Sequence, residues 1–109
     1  MSAIAVTNDS AGWLVLWIEP YGEDRWLRTG ETFVVRTDYS GDEPPFTIQY
    51  WVNTDDRAAG IENVTVVVNE GFYQGVLDSE GGVVECGHQR PAEIVAKWQA
   101  VIRRLQSGR

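Results

Sequence analysis

The chain has 109 residues, 43% of them hydrophobic, and a formal net charge of −7. A chain of this length buries a core without cross-links, and its single cysteine excludes an internal disulfide. The acidic balance argues against nucleic-acid binding, and the longest apolar run, residues 13–18, is too short to cross a bilayer. Because residues 1–8 lack the pattern of a secretory signal, we expect a soluble cytoplasmic protein without membrane contact.

The first 88 residues have the pattern of short strands separated by turns. Residues 3–7 are a predicted strand, and residues 8–12 are of types that favour a tight turn. Residues 13–19 form the next predicted strand and are apolar on both of its faces. Such a strand is central in its sheet or is covered by a helix.

Pro20 ends this strand because proline cannot donate to a sheet ladder. Turn residues then recur about every 8–12 residues, which is the spacing of a sandwich or barrel. The segments between the turns predict strands at residues 25–29, 32–37, 46–53, 61–69, 72–77 and 83–86. Glycine-containing turns predict hairpins at 69–71 and 79–82, and the two predicted polar loops are 38–45 and 54–60.

The C-terminal segment changes to a helical period. Pro91 suits the first helical position, and Gly108 ends the predicted helix. One face of this helix carries an apolar stripe: Ile94, Trp98, Val101, Ile102 and Leu105. We expect the stripe to pack on a sheet or across an open barrel end. The alternative is an interface with a partner or with a second copy of the chain.

These patterns predict one domain over residues 1–109, with a β body at 1–88 and a C-terminal amphipathic helix at 89–109 packed on it. The predicted fold class is mainly β, an antiparallel β-sandwich or flattened barrel of seven or eight strands. The stretch 17–31, with Trp-Ile-Glu-Pro-Tyr-Gly-Glu-Asp and a later Gly-Glu before a strand, resembles segments of small bacterial β-proteins. That resemblance brings no activity with it.

Side chains that carry catalytic or metal chemistry are scarce. Cys86 and His88 are the only thiol and imidazole, and residues two apart in an extended segment are usually too far apart for a nucleophile–base pair. An enzyme built on Cys86 or His88 is the third hypothesis, which requires Gly87 to bend the chain so that both side chains line one accessible cleft. Two such ligands are too few for a structural zinc site, and one histidine excludes a blue-copper site. We therefore predict no enzyme activity, no metal and no cofactor. We expect Cys86 to end a strand as a small buried residue and His88 to help cap the helix start.

Charge gives the clearest indication of a partner. Residues 1–88 carry a formal charge of −11, and residues 89–109 carry +4. We predict a non-enzymatic protein-binding domain that meets a basic protein, as an inhibitor or immunity-type protein meets a basic toxin. The predicted contacts are acidic residues in turns and loops: Glu23, Asp24, Asp42, Glu43, Asp55 and Asp56.

The alternative function is a carbohydrate- or small-ligand-binding module. Five tryptophans and four tyrosines are many for this length, and exposed aromatic side chains are typical binding anchors. The aromatic platform for this function would consist of Tyr21, Trp26, Tyr50 and Trp51. The other interpretation is that these side chains cover the second face of a sheet.

Overall fold

The computed structural model describes residues 1–108, in which eight strands and two helices follow one another. The strands are β1 (Ser2–Thr7), β2 (Trp13–Glu19), β3 (Glu23–Leu27), β4 (Thr32–Thr37), β5 (Phe46–Trp51), β6 (Ile61–Val68), β7 (Tyr73–Asp78) and β8 (Val83–Val84). The helices are α1 (Thr54–Ala58), between β5 and β6, and α2 (Ala92–Ser107), after β8.

The strands form two four-stranded sheets in a sandwich-like arrangement, which confirms the predicted fold class. The first sheet has the order β1-β4-β7-β8 and is antiparallel throughout. The second sheet has the order β3-β2-β6-β5. Its central strands β2 and β6 are parallel, whereas the β2–β3 and β5–β6 pairs are antiparallel. One parallel pair therefore lies at the centre of a fold that the sequence predicts as antiparallel.

The predicted hairpin at 69–71 is wrong, because β6 and β7 belong to different sheets. The chain bends here, and Gly71 has a φ of 78°, which glycine adopts without strain. Asn69 donates its N–H to the Pro45 carbonyl at 2.8 Å, and Thr37 donates its hydroxyl to the Glu70 carbonyl at 2.9 Å. These two bonds attach the turn to the end of β4 and to the residue before β5, and not to the ladder of a single hairpin. The hairpin at 79–82 is confirmed, since β7 pairs with β8.

The main core lies between the two sheets. Leu16, Ile18 and Val66 of the second sheet face Phe33 and Val35 of the first, and each of the five is at most 2% exposed. Burial of such a side chain is worth about 1.5–3 kcal/mol. This core therefore accounts for the alternating apolar pattern of the strands.

The strand β2 is buried on both faces, as its sequence predicts. Its outward-facing Val15 forms a second cluster with Trp26 of β3 and Ile61 of β6. Ile94 and Trp98 of α2 pack against this cluster. The second sheet is therefore covered by the core on one face and by α2 on the other.

The helix α2 is confirmed, with Pro91 at its N-cap position. Only the first half of its apolar stripe is packed, because Ile94 and Trp98 alone reach the second cluster. Val101, Ile102 and Leu105 are 39%, 53% and 71% exposed. The expected packing of the whole stripe on the sheet is wrong for these three residues.

Several predicted boundaries also change. The predicted polar loop 54–60 contains α1, since the Asn53 side chain accepts the Asp56 N–H at 2.7 Å as a helix N-cap. The strand predicted at 25–29 begins two residues earlier, at Glu23, and the strand predicted at 83–86 is only two residues long. The strand predicted at 46–53 ends at Trp51 and is largely exposed, because it lies at a sheet edge.

Within residues 1–108, no helix combines the length and the apolar content that a membrane crossing requires.

Candidate functional site

A buried carboxylate, Asp24, links the β body to the start of α2. Asp24 is 3% exposed and accepts hydrogen bonds from the Arg90 guanidinium, including one from Nε at 2.9 Å. It also accepts the indole N–H of Trp26 at 2.8 Å. Burial alone would raise the pKa of Asp24, but these hydrogen bonds and the charge of Arg90 outweigh burial and lower the pKa below its ordinary value.

Backbone hydrogen bonds attach the segment before α2 to the same strand. Gly87 donates its N–H to the Asp24 carbonyl at 2.6 Å, and Trp26 donates its N–H to the His88 carbonyl at 3.0 Å. The Arg90 guanidinium then lies over the Trp98 ring, 4.9 Å from its centre. The Asp24–Arg90 pair therefore fixes where Trp98 sits on the second sheet.

A cavity lies on the outer face of the second sheet, and four of the five tryptophans line it. We call it the tryptophan pocket; its volume is about 340 Å³ and its aromatic residues are Trp17, Trp26, Trp51 and Trp98. Strands β2, β3 and β5 and helix α2 each supply one of them. Because Trp26 is 2% exposed and Trp51 is 39% exposed, Trp26 belongs to the floor and Trp51 to the rim.

Polar side chains complete this pocket. Asn63 of β6 is 2% exposed; it accepts the Trp17 indole N–H at 3.0 Å and donates to Asp56 of α1 at 2.9 Å. Asn53 and Lys97 also line the pocket, and both are exposed. The pocket therefore combines aromatic walls with an amide, a carboxylate and an ammonium group.

The edge strand β5 exposes large apolar side chains. Ile48 is 46% exposed, Tyr50 64% and Trp51 39%. The Tyr50 hydroxyl donates to Glu62, and this hydrogen bond raises the Tyr50 pKa above its ordinary value. A groove of about 430 Å³ opens between β5 and β1, with Val6 among its lining residues. It is larger than the tryptophan pocket and shares no lining residue with it.

The six predicted acidic contacts separate into two groups. Asp42 and Glu43 precede β5, Asp55 and Asp56 follow it, and the first three of these are exposed. The other two residues lie on β3, at the opposite edge of the second sheet.

The β3 pair offers little exposed charge, because Glu23 is partly buried and Asp24 is buried. Glu23 accepts hydrogen bonds from Arg25 at 2.8 Å and from the Tyr73 hydroxyl at 2.9 Å. Burial and the bond to Glu23 raise the pKa of Tyr73. The expectation that Asp24 is a surface contact is wrong, because it is buried against Arg90.

The four predicted platform aromatics do not lie together. Tyr21 stacks on Tyr73 at 4.8 Å between ring centres, and Trp26 is buried. Tyr50 and Trp51 are consecutive in a strand, so their side chains point to opposite faces. Trp26 and Trp51 do both line the tryptophan pocket, on the face of the second sheet that α2 covers.

Trp17 and Trp98 were not predicted as site residues. The sequence places Trp98 in the apolar stripe of the predicted helix and Trp17 in a strand that is apolar on both faces. The sequence shows the alternation that places Trp17 and Val15 on one face of their strand. It does not show the parallel register of β2 and β6, which brings Asn63 opposite Val15.

Cys86 and His88 are both exposed, so the expectation of a buried Cys86 is wrong. The Cys86 thiol contacts Asp24 at 3.8 Å, and the His88 ring packs edge-on against Phe33 at 5.6 Å between centres. No hydrogen bond joins Cys86 to His88 in the part of the chain that the structure describes. Nor do residues 1–108 hold a group of three His, Cys, Asp or Glu side chains with the geometry of a metal site.

No protein-family model, curated protein or solved structure matches this chain.

Proposed function

We propose that the chain is a non-enzymatic protein-binding domain that recognises a basic partner along β5. The observation that carries this proposal is an exposed edge strand with an acidic pair at each end. Such a surface suits an inhibitor or immunity-type protein that neutralises a basic toxin. The exposed thiol of Cys86 fits a reducing compartment such as the cytoplasm.

The backbone of β5 offers one part of the interaction. An edge strand has N–H and C=O groups that no neighbouring strand uses, and an extended segment of a partner can pair with them. Ile48 and Tyr50 lie on the same face of β5, the face toward the β1 groove. They would receive alternate apolar side chains of the partner strand.

Charge supplies the specificity. Asp42 and Glu43 lie before the strand, and Asp55 and Asp56 lie after it. Six residues of strand span about 20 Å, so a matching partner strand has an apolar centre and basic residues at both ends. Arg57 is the nearest base along the sequence, and the four acids outnumber it. Complementary charges of this kind accelerate encounter and fix the register of the two strands.

A synthetic peptide tests this proposal directly. It carries two lysines at each end and alternating valine and threonine between them, and its binding is followed by fluorescence anisotropy. We expect saturable binding by the native chain and at least about tenfold weaker binding by the triple variant Asp42→Asn, Glu43→Gln, Asp55→Asn. Asp56 is left unchanged because it supports Asn63.

The matched control removes the same number of negative charges elsewhere, by Glu80→Gln, Glu85→Gln and Glu93→Gln. These three residues are exposed and lie outside β5 and its flanking loops. We expect the control variant to bind the peptide nearly as well as the native chain does. Equal weakening by both variants, or no binding of the peptide at all, contradicts the proposal.

A further inference from the structure

We propose that the tryptophan pocket binds a neutral saccharide. This inference uses a different face of the second sheet from the β1 groove, and it does not depend on the proposed protein partner. It concerns the cavity of about 340 Å³ between α1 and α2. That volume is at the small end of ligand cavities (about 300–1,000 Å³) and suits a small ligand such as one or two sugar rings.

The aromatic walls offer ring faces rather than indole N–H groups. Three of the four indole N–H groups already donate within the protein, from Trp17 to Asn63, from Trp26 to Asp24 and from Trp51 to Thr65. Their ring orientations are therefore fixed before a ligand arrives. A pyranose ring has an apolar face of C–H groups that stacks on such a surface.

The rim of the pocket offers both hydrogen-bond donors and hydrogen-bond acceptors. The Asn53 side chain and the Lys97 ammonium are exposed at the pocket, and the Asp56 carboxylate lies beside them. Asn63 and Asp56 are joined by a hydrogen bond of 2.9 Å, which holds the carboxylate in place. A ligand with an apolar ring face and hydroxyl groups at its edge satisfies both the walls and the rim.

The charges around the pocket are balanced, which favours a neutral ligand. Asp24 is paired with Arg90, and the remaining carboxylate and ammonium are Asp56 and Lys97. The Arg90 guanidinium already lies over Trp98 at 4.9 Å. A quaternary ammonium ligand, the usual guest of an aromatic cage, would be repelled by Lys97 and attracted by Asp56, so the pocket offers it no net charge. A neutral polyhydroxylated ring needs no net charge to bind.

The test is isothermal titration of the full chain with neutral cello-, xylo-, manno- and chito-oligosaccharides. We expect saturable binding of at least one of them. We also expect at least about tenfold weaker binding by Trp51→Ala and by Lys97→Met. Both side chains lie at the exposed rim, so both variants should remain folded, which circular dichroism checks.

Two matched controls separate this pocket from the protein-binding surface. Phe72→Ala removes an aromatic ring that is 76% exposed outside the pocket, and Tyr50→Ala alters the opposite face of β5. We expect neither to weaken sugar binding. Absence of saturable binding across the panel overturns the inference, as does binding that Trp51→Ala and Lys97→Met leave unchanged. Binding of trimethyllysine in place of a sugar also overturns it. All three results leave the peptide experiment on β5 unaffected.

Discussion

Asp24 shows how one buried side chain can organise a surface site. It is a charged residue in a mainly apolar cluster, and it is stabilised there by Arg90 and by the indole N–H of Trp26. The neighbouring backbone carries the segment that starts α2. Because Arg90 also packs on Trp98, the ion pair connects the sheet, the helix and the tryptophan pocket.

Replacing Asp24 with asparagine is expected to lower the free energy of unfolding by about 2 kcal/mol, because charged hydrogen bonds to a buried acceptor are lost. The loss is smaller than for a fully buried ion pair, since the Arg90 side chain is 26% exposed and can be hydrated. Urea denaturation measures the change. Glu85→Gln, which removes an exposed acid, is the control and should change stability by less than about 0.5 kcal/mol. Equal effects of the two substitutions would contradict this role of Asp24.

The stability contributed by Asp24 should also depend on pH. In the folded state its pKa is lowered below the ordinary aspartate value. Its contribution is therefore complete above that value and is lost as the pH falls through the lower, folded-state pKa. We expect the stability difference between the native chain and Asp24→Asn to be constant near neutral pH and to shrink below about pH 4. A difference that grows on acidification would contradict the assignment.

Gly12 is a second residue whose role follows from geometry. A Cβ atom at this position would lie 2.0 Å from the Gly60 carbonyl oxygen, which also accepts the Trp13 N–H at 3.0 Å. We expect Gly12→Ala to lower the free energy of unfolding by about 2–3 kcal/mol, because backbone must move. Gly22→Ala is the control. The added Cβ would meet nothing within 4 Å, and the φ of 67° by itself should lower the free energy of unfolding by about 1–2 kcal/mol. Thermal unfolding measures both variants. A larger loss of stability in Gly22→Ala than in Gly12→Ala would contradict the close approach of Gly12 to the Gly60 carbonyl oxygen.

Among the elements, α2 is the one that is only partly docked. Its first half packs on the second cluster, while Val101, Ile102 and Leu105 remain exposed. The helix is nevertheless continuous from Ala92 to Ser107. Most of its tertiary support therefore comes from Ile94 and Trp98.

Substitutions along the apolar stripe should show that the first half of α2 contributes to stability and that the second half does not. We expect Trp98→Ala to lower the free energy of unfolding by at least about 2 kcal/mol. Ile102→Asp, at a position 53% exposed, should change it by less than about 0.5 kcal/mol. Guanidinium denaturation of the two variants measures both effects. A large loss of stability in Ile102→Asp would mean that the second half of the helix is buried in solution.

Much of the element order could be predicted from the sequence, because alternating apolar residues and turn types act locally. The strands Trp13–Glu19 and Thr32–Thr37 have their predicted bounds for this reason. The separation of β6 from β7 could not be predicted, since the residues at 69–71 favour a bend but do not determine the sheet to which the next strand belongs. The tryptophan pocket also depends on tertiary structure, because four elements of the fold contribute its indole rings.

On the scale of the whole molecule, charge is segregated along the chain. Residues 1–88 carry −11 and residues 89–109 carry +4. The field around the β body therefore attracts basic molecules over distances of about one Debye length, roughly 8 Å at physiological salt. Encounter with the β5 edge should be faster than for an uncharged domain of the same shape.

The association rate of the lysine-ended peptide should therefore fall at least about tenfold as salt rises from low concentration to several times the physiological value. Stopped-flow fluorescence measures this dependence. The triple variant at Asp42, Glu43 and Asp55 should show a shallower slope than the matched control variant. A rate that does not respond to salt would remove electrostatic attraction as the source of recognition.

The parallel pairing of β2 with β6 bears on how the chain acquires its structure. Trp13 pairs with Ile61, so 48 positions of sequence separate the partners. Until that later segment has been synthesised, the most apolar strand of the protein has no neighbour on one side. Ladders closed over such distances form slowly, in milliseconds to seconds rather than microseconds. During translation the nascent amino-terminal half therefore exposes one edge of this apolar strand until residues 61–68 can pair with it, and unpaired edges of this kind favour aggregation.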